Sequence, residues 1–189
     1  MALVLDGNGT MTVGNGDITG LVAGALPSTV IGAGAVLQVV STTKTDVFSM
    51  SGSGTATAIT GLSVSITPTS SSSKILIFGQ VTGSMASTTY GWNIVLYKNG
   101  SVITGATGDS GNSQPRATSG MFHNYAYGSE TIPFTYFDSP ATTSATTYQI
   151  YTFQEPGSTF YINRPGNVTQ TDGRSANYIS TITVMEIAA

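Results

Sequence analysis

From residue 36 onward the hydrophobic positions fall into short runs in which apolar and hydroxyl-bearing residues alternate, the period of a strand with one face in a core. "VLQVVST" (36–42) and "DVFSM" (46–50) are the first such runs. "AITGLSVSITP" (58–68) is the clearest, setting Leu62, Val64 and Ile66 against Ser63, Ser65 and Thr67. Pro68 removes a backbone donor and stops that strand, and Ser70 to Ser73 supply a hydroxyl-rich turn before Lys74. "KILIFGQVTG" (74–83) is more continuously apolar and is predicted to be buried on both faces. "YGWNIVLYKNGSVITG" (90–105) reads as a hairpin closed by the turn pair Asn99-Gly100. A Gly-, Ser- and Asn-rich stretch at 106–130 is too long for a tight turn and is predicted to be a loop with a function. Strands are then expected within 131–140, 145–155, 158–164 and 176–187, the last with apolar residues on both sides and so central to its sheet.

Eight or nine short antiparallel strands at turn-bounded intervals predict an all-β domain at 36–189, an antiparallel β-sandwich of jelly-roll or Greek-key type. Residues 1–35 follow another pattern, with Gly7, Gly9, Gly14, Gly16, Gly20, Gly24, Gly32 and Gly34 separating two or three apolar or hydroxyl residues at a time. Such a segment cannot bury a core by itself. It is expected to be an extended Gly-rich N-terminal arm that gains order by pairing with a neighbouring subunit or docking on a larger particle. Leu3, Leu5, Val13, Ile18, Leu21, Leu26 and Ile31 are its docking candidates, since burying each contributes roughly 1.5–3 kcal/mol.

Composition adds what the pattern leaves open. Ser and Thr occupy 53 of 189 positions and charged residues only 8%, so hydroxyls and amides must make the surface polar. With 40% hydrophobic residues the chain does not read as disordered. A net charge of -3, with six Lys and Arg scattered along the sequence, argues against a nucleic-acid partner. The chain holds no Cys, which excludes disulfides and thiolate metal sites. The start lacks the pattern of a secretory signal, and no window is apolar for the length of a membrane span.

Candidate chemistry is sparse. The single His, His123 in "MFHNYAY", would need both a nucleophile and an orienting carboxylate to act as a base, and only Asp109 or Glu130 offers itself. The nine carboxylates are dispersed without a close local pair, so no two-carboxylate glycosidase is visible. "DGNG" at Asp6 and "GNGD" ending at Asp17 resemble fragments of a calcium loop but lack its further acidic ligands, and read as turns. No metal, cofactor or catalytic residue is therefore assigned. Asn8, Asn99 and Asn167 sit in Asn-X-Ser/Thr sequences, two of them also Asn-Gly turns.

An aromatic surplus remains in the second half of the chain. Tyr90, Trp92, His123, Tyr125 and Tyr127 are the candidate contact residues, because aromatics in a Ser/Gly/Asn setting make broad contact surfaces with few rotors. Those side chains equally suit the end of a sandwich or a subunit contact.

"VLQVVSTTKTDVFS", "ITGLSVSITPTSSSSKILI", "DSPATTSATTYQIY" and "STITVMEIA" resemble, in order and spacing, a β-sandwich module of tail-fibre and other virion structural proteins of tailed bacteriophages. "ALVLDGNGTMTVGNGDITGL" looks like the Gly-rich starts of small virion proteins of such phages. The resemblance covers most of 36–187 and is weakest at about 84–130. It implies a non-enzymatic virion component on the particle surface, expected to be a homotrimer, with its arm on other virion proteins and its sandwich facing outward. A short tail fibre or receptor-binding protein that meets a host-surface glycan or protein is the first expectation. The near absence of a shaft raises the alternative of a capsid decoration, or cement, protein.

Overall fold

A computed structural model describes residues 4–5, 11–12, 32–109, 111, 113–124, 128–167 and 176–189. The chain divides into two units, Met1–Ala33 and Gly34–Ala189. Within the first, β1 (Val4–Leu5) and β2 (Met11–Thr12) pair antiparallel, Val4 opposite Thr12 and Leu5 opposite Met11. Of the arm candidates, Leu5 lies in β1, while Leu3, Val13, Ile18, Leu21, Leu26 and Ile31 lie outside the described residues.

The second unit holds β3 (Val36–Lys44), β4 (Phe48–Ser51), β5 (Thr57–Ile66), β6 (Lys74–Met85), β7 (Tyr90–Lys98), β8 (Ser101–Val102), β9 (Ser119–His123), β10 (Glu130–Asp138), β11 (Thr146–Gln154), β12 (Thr159–Ile162) and β13 (Ser180–Ile187). They form two antiparallel sheets. In the first, β6 takes β10 along one edge; along the other it takes β13 and then β12, outside which lie β3 and β4. In the second, β11 lies between β5 and β7, and β7 carries β8 and β9 on its far edge. The eight principal strands thus run β3-β13-β6-β10 and β5-β11-β7-β9. Consecutive strands mostly change sheet, and the arrangement is a jelly roll. The β7–β8 hairpin turns at Asn99 and Gly100, both at positive φ (49° and 79°), as a two-residue turn matching the strand twist requires.

The core is the space between the sheets, filled from one side by Ile75, Ile77, Val81, Ile132, Phe134, Phe160, Ile182 and Val184 and from the other by Ile59, Leu62, Val64, Trp92, Ile94, Leu96, Tyr148 and Ile150. Phe160 of β12 lies over Gly83 of β6, where a Cβ would come within 2.8 Å of its ring. Its other side meets Trp92 of the opposite sheet, centroids 4.8 Å apart.

Two expectations change. From Lys74 to Gln80 β6 is buried on its inward face only: Ile75 and Ile77 are sealed, whereas Leu76 and Phe78 on the outward face are half-buried; from Val81 to Met85 both faces are buried. The 106–130 stretch contains a 3₁₀ turn (Thr104–Ala106 at its threshold) and the strand β9, which completes the second sheet. Residues Pro68 to Ser73 join β5 to β6 within the sandwich, and a buried carboxylate anchors the joint. Glu186 Oε1 accepts hydrogen bonds from the Thr69 amide (2.7 Å) and hydroxyl (2.8 Å), and Oε2 from Gln38 Nε2 (2.5 Å). Gln38 Nε2 also donates to the Thr67 carbonyl at 2.8 Å.

Burial alone would raise the pKa of Glu186, but the hydrogen bonds led by Gln38 outweigh it and hold the group below its ordinary 4.5. Its contribution to stability is therefore complete above that value and fades as pH falls through the lower folded-state value. Glu186→Gln should cost about 1.5–3 kcal/mol at neutral pH. In denaturant titrations repeated from neutral to strongly acidic pH, the gap between variant and parent should close in acid; a gap independent of pH would refute this role.

Candidate contact surfaces

The sequence candidates cluster where β7 and β9 pair, with Tyr90 opposite His123 and Trp92 opposite Met121. Tyr90, Trp92, Ile94 and Leu96 alternate toward the core. Trp92 is consequently sealed, at 0% exposure, and is a core residue and not a presented one. His123 is also fully buried, as the last residue of β9 and not a loop side chain. Tyr90 is half-buried, its hydroxyl 3.1 Å from where a Cβ on Gly157 would lie. Gly157 lines a cavity of about 360 Å³ with Ser51, Gly52, Ala86, Ser87, Ser158 and Thr159. That cavity offers hydroxyls and backbone but no aromatic face. Tyr125 and Tyr127 lie outside the described residues.

Of the two carboxylates within sequence reach, the structure brings Glu130 to His123. His123 Nδ1 lies 2.7 and 2.8 Å from the two carboxylate oxygens, so the protonated nitrogen donates to the carboxylate. Among the described residues Nε2 is buried without a hydrogen-bond partner, and no hydroxyl stands on it as a nucleophile would. The pair instead joins β9 to β10, one strand from each sheet.

The other end of β10 is tied in the same way. Asp138 accepts from Lys98 Nζ (2.8 and 3.1 Å) and from the Tyr148 hydroxyl (2.7 Å), both in the opposite sheet. Burial first, then the bond to Asp138, push the Tyr148 phenol well above its ordinary value of 10. β10 is an edge strand, and its first and last residues are the acids that fasten it across the sandwich.

Among the described residues no group of three or more His, Asp or Glu side chains could hold a metal ion. The arrangement with the character of a binding surface lies elsewhere, on the outward face of the second sheet. Because Trp92, Ile94 and Leu96 point inward, Val95 and Tyr97 point outward; because Tyr148 and Ile150 point inward, Tyr151 points outward. Tyr97 and Tyr151 stack, centroids 3.6 Å apart at 14°. Beside them Val95, Tyr97, Val102, Phe153, Gly54, Ala56, Pro115 and Arg116 line a groove of about 230 Å³.

Arg116 is held at the groove's rim by its own segment. Its Nε donates to the Gly108 carbonyl (2.7 Å) and Nη2 to the Thr104 carbonyl (3.1 Å). That segment is pinned in turn to β7, the Thr118 amide donating to Ile94 O (2.8 Å) and the Leu96 amide to Thr118 Oγ1 (3.0 Å). The sequence candidates missed Tyr97, Tyr151 and Arg116. For the tyrosines the signal was available, since the alternation that hides Trp92 and Tyr148 exposes the opposite parity.

No protein-family model matches the chain, and no curated protein matches it. Among solved structures, the chain is similar to that of infectious bursal disease virus Gt strain, at 14% identity and TM-score 0.43, over 80% of this chain and 38% of that one. It is similar to the infectious bursal disease virus VP2 subviral particle, at 12% identity and TM-score 0.42, over 80% and 38%. For the Gx strain of that virus the values are 14% and 0.40, over 82% and 43%. The chain thus spans less than half the length of these structures.

Trp92→Ala should cost about 3–5 kcal/mol of stability, as loss of a buried aromatic does. Tyr97→Ala should cost only about 0.5–1.5 kcal/mol through the lost stack. Chemical denaturation of the two variants checks the contrast, and equal losses would contradict the assignment of one ring to the core and the other to the surface.

Proposed function

We propose that the chain is a non-enzymatic structural component of a tailed-phage virion, a short tail-fibre or receptor-binding protein that touches a host-surface glycan. The observation that carries this reading is the groove beside the Tyr97–Tyr151 stack, where aromatic faces and a fixed guanidinium share one exposed sheet. A jelly roll hosts many functions, so the fold by itself decides nothing. The site is what supports contact. Its apolar floor suits the flat face of a sugar ring, its rim donor suits a hydroxyl or carboxylate, and its 230 Å³ is below the usual range for an enclosed ligand pocket. It would hold one ring of a larger partner.

Chemistry finds less support. His123 is fully buried, and its pair with Glu130 is occupied in joining two sheets. In this reading the N-terminal unit docks on other virion proteins and the sandwich faces outward. The order and spacing of the sequence segments that resemble phage virion modules support the same assignment.

Gold-labelled antibody on purified particles should mark the tail tip. Label spread over the head would overturn the tail-fibre reading in favour of capsid decoration. Loss of an aromatic anchor costs about 2 kcal/mol, so Tyr97→Ala should reduce adsorption to host cells roughly 30-fold. Arg116→Ala should act in the same direction, and unchanged adsorption in both variants would remove the groove from the contact.

A further inference from the structure

The outward face of the first sheet carries a feature that neither the core nor the groove uses. Strand register sets Val39 opposite Met185, Met185 opposite Leu76, and Leu76 opposite Phe137. Four apolar side chains therefore form one row across β3, β13, β6 and β10. Val39 and Phe137 are each 52% exposed, and Met185 and Leu76 are half-buried. In the next row on one side, Ile187 lies between Val36, 53% exposed, and Lys74. On the other side the row reads Ser41, Thr183, Phe78 and Thr135, with Ser41 and Thr183 hydroxyls hydrogen-bonded at 2.8 Å. Hydroxyl residues thus serve on this face one register step away. The sheet does not need apolar side chains at Val39 and Phe137 to form, and leaving them to water sacrifices burial that folding could otherwise use.

We infer that this row is a contact between two copies of this chain, packed sheet face against sheet face. The charge of the surface selects that occupant. Over the outward positions of β3, β13, β6 and β10, Lys74 is the only charged side chain among the described residues. A polyanion would find one cation there. An identical face finds an uncharged, apolar surface matching its own.

A two-fold axis along the row, as in the closed pairs that identical subunits favour, sets Met185 and Leu76 of one copy against the same residues of the other. The same operation moves Lys74, two residues from Leu76, onto the Phe78 side of the partner face, so the two ammonium groups stay apart. Four strands about 4.8 Å apart and about nine residues long at 3.3 Å each give a face of roughly 600 Å². Specific interfaces use about 800 Å² per partner, with weaker ones below roughly 600. The contact therefore has the size of a weak, concentration-dependent pair. Association through the edge of β10 is disfavoured by Pro133, which places a residue without an amide hydrogen in the middle of that strand.

The chain contains no Cys, which allows a position-specific test on the full-length protein. Val39→Cys and Phe137→Cys lie on the row, and each should give disulfide-linked dimers under mild oxidation at high protein concentration. Thr43→Cys, on the same face but four residues or roughly 13 Å along β3, should not. Sedimentation of the unmodified protein should show mass rising with concentration, and Phe137→Glu should diminish that rise without lowering the melting temperature. Cross-linking equal at all three positions, or absent from both row positions, would overturn the proposal. So would a concentration dependence that Phe137→Glu leaves intact. Because the readout compares positions on one face, association through the N-terminal unit cannot imitate it.

Discussion

The sandwich depends on a ring seated where β6 has no side chain. Phe160 occupies the space above Gly83 on its own sheet and meets Trp92 from the other, and all three are within the sealed core. Any Cβ at Gly83 would push the ring away and with it the opposite sheet, because interiors packed to crystal-like density have no slack. Trp92 accepts a cost for its place, since among the described residues its indole nitrogen is buried without a hydrogen-bond partner. Burial of its large apolar surface outweighs one unsatisfied donor at about 1–3 kcal/mol.

Scarcity of charge gives each buried acid structural weight. Glu130 and Asp138 close the two ends of β10 by bonding to the opposite sheet, and Glu186 holds the joint between β5 and β6 through groups more than a hundred residues away in sequence. For the buried Asp138 and Glu186, breaking one partner leaves a desolvated charge, which costs far more than losing a surface pair. The surface, by contrast, is tied by hydroxyl pairs across strands, Ser65 with Thr147 at 2.7 Å and Ser41 with Thr183 at 2.8 Å. Such pairs hold the register without long side chains to immobilise.

Most of the strands are legible as runs of alternation, and the β7–β8 hairpin as an Asn-Gly pair between them. β9 is not, because "SGMFH" has neither alternation nor a β-branched residue and is a strand only through its pairing with β7. The serines of "PTSSSSK" are readable as a turn. Their dependence on Glu186 is not, since more than a hundred residues separate Thr69 from that carboxylate. The contact candidates illustrate the same limit. Residue type drew notice to Trp92 and His123, whereas face decides exposure, and only strand parity assigns face: Trp92 shares the parity of Ile94 and Leu96, Tyr97 does not. Arg116 acquires its place from carbonyls of the loop itself, which no local pattern announces.

A sandwich has two outward faces, and here they differ in chemistry. One bears the Tyr97–Tyr151 stack with Arg116 at its margin; the other bears the row from Val39 to Phe137, flanked by hydroxyls. Since the core lies between them, a copy held through the row keeps its aromatic groove turned away from that contact. Pairing and recognition therefore do not compete for area. Each paired unit would present two grooves, and two weak contacts held at a fixed spacing bind a repetitive surface far more tightly than one.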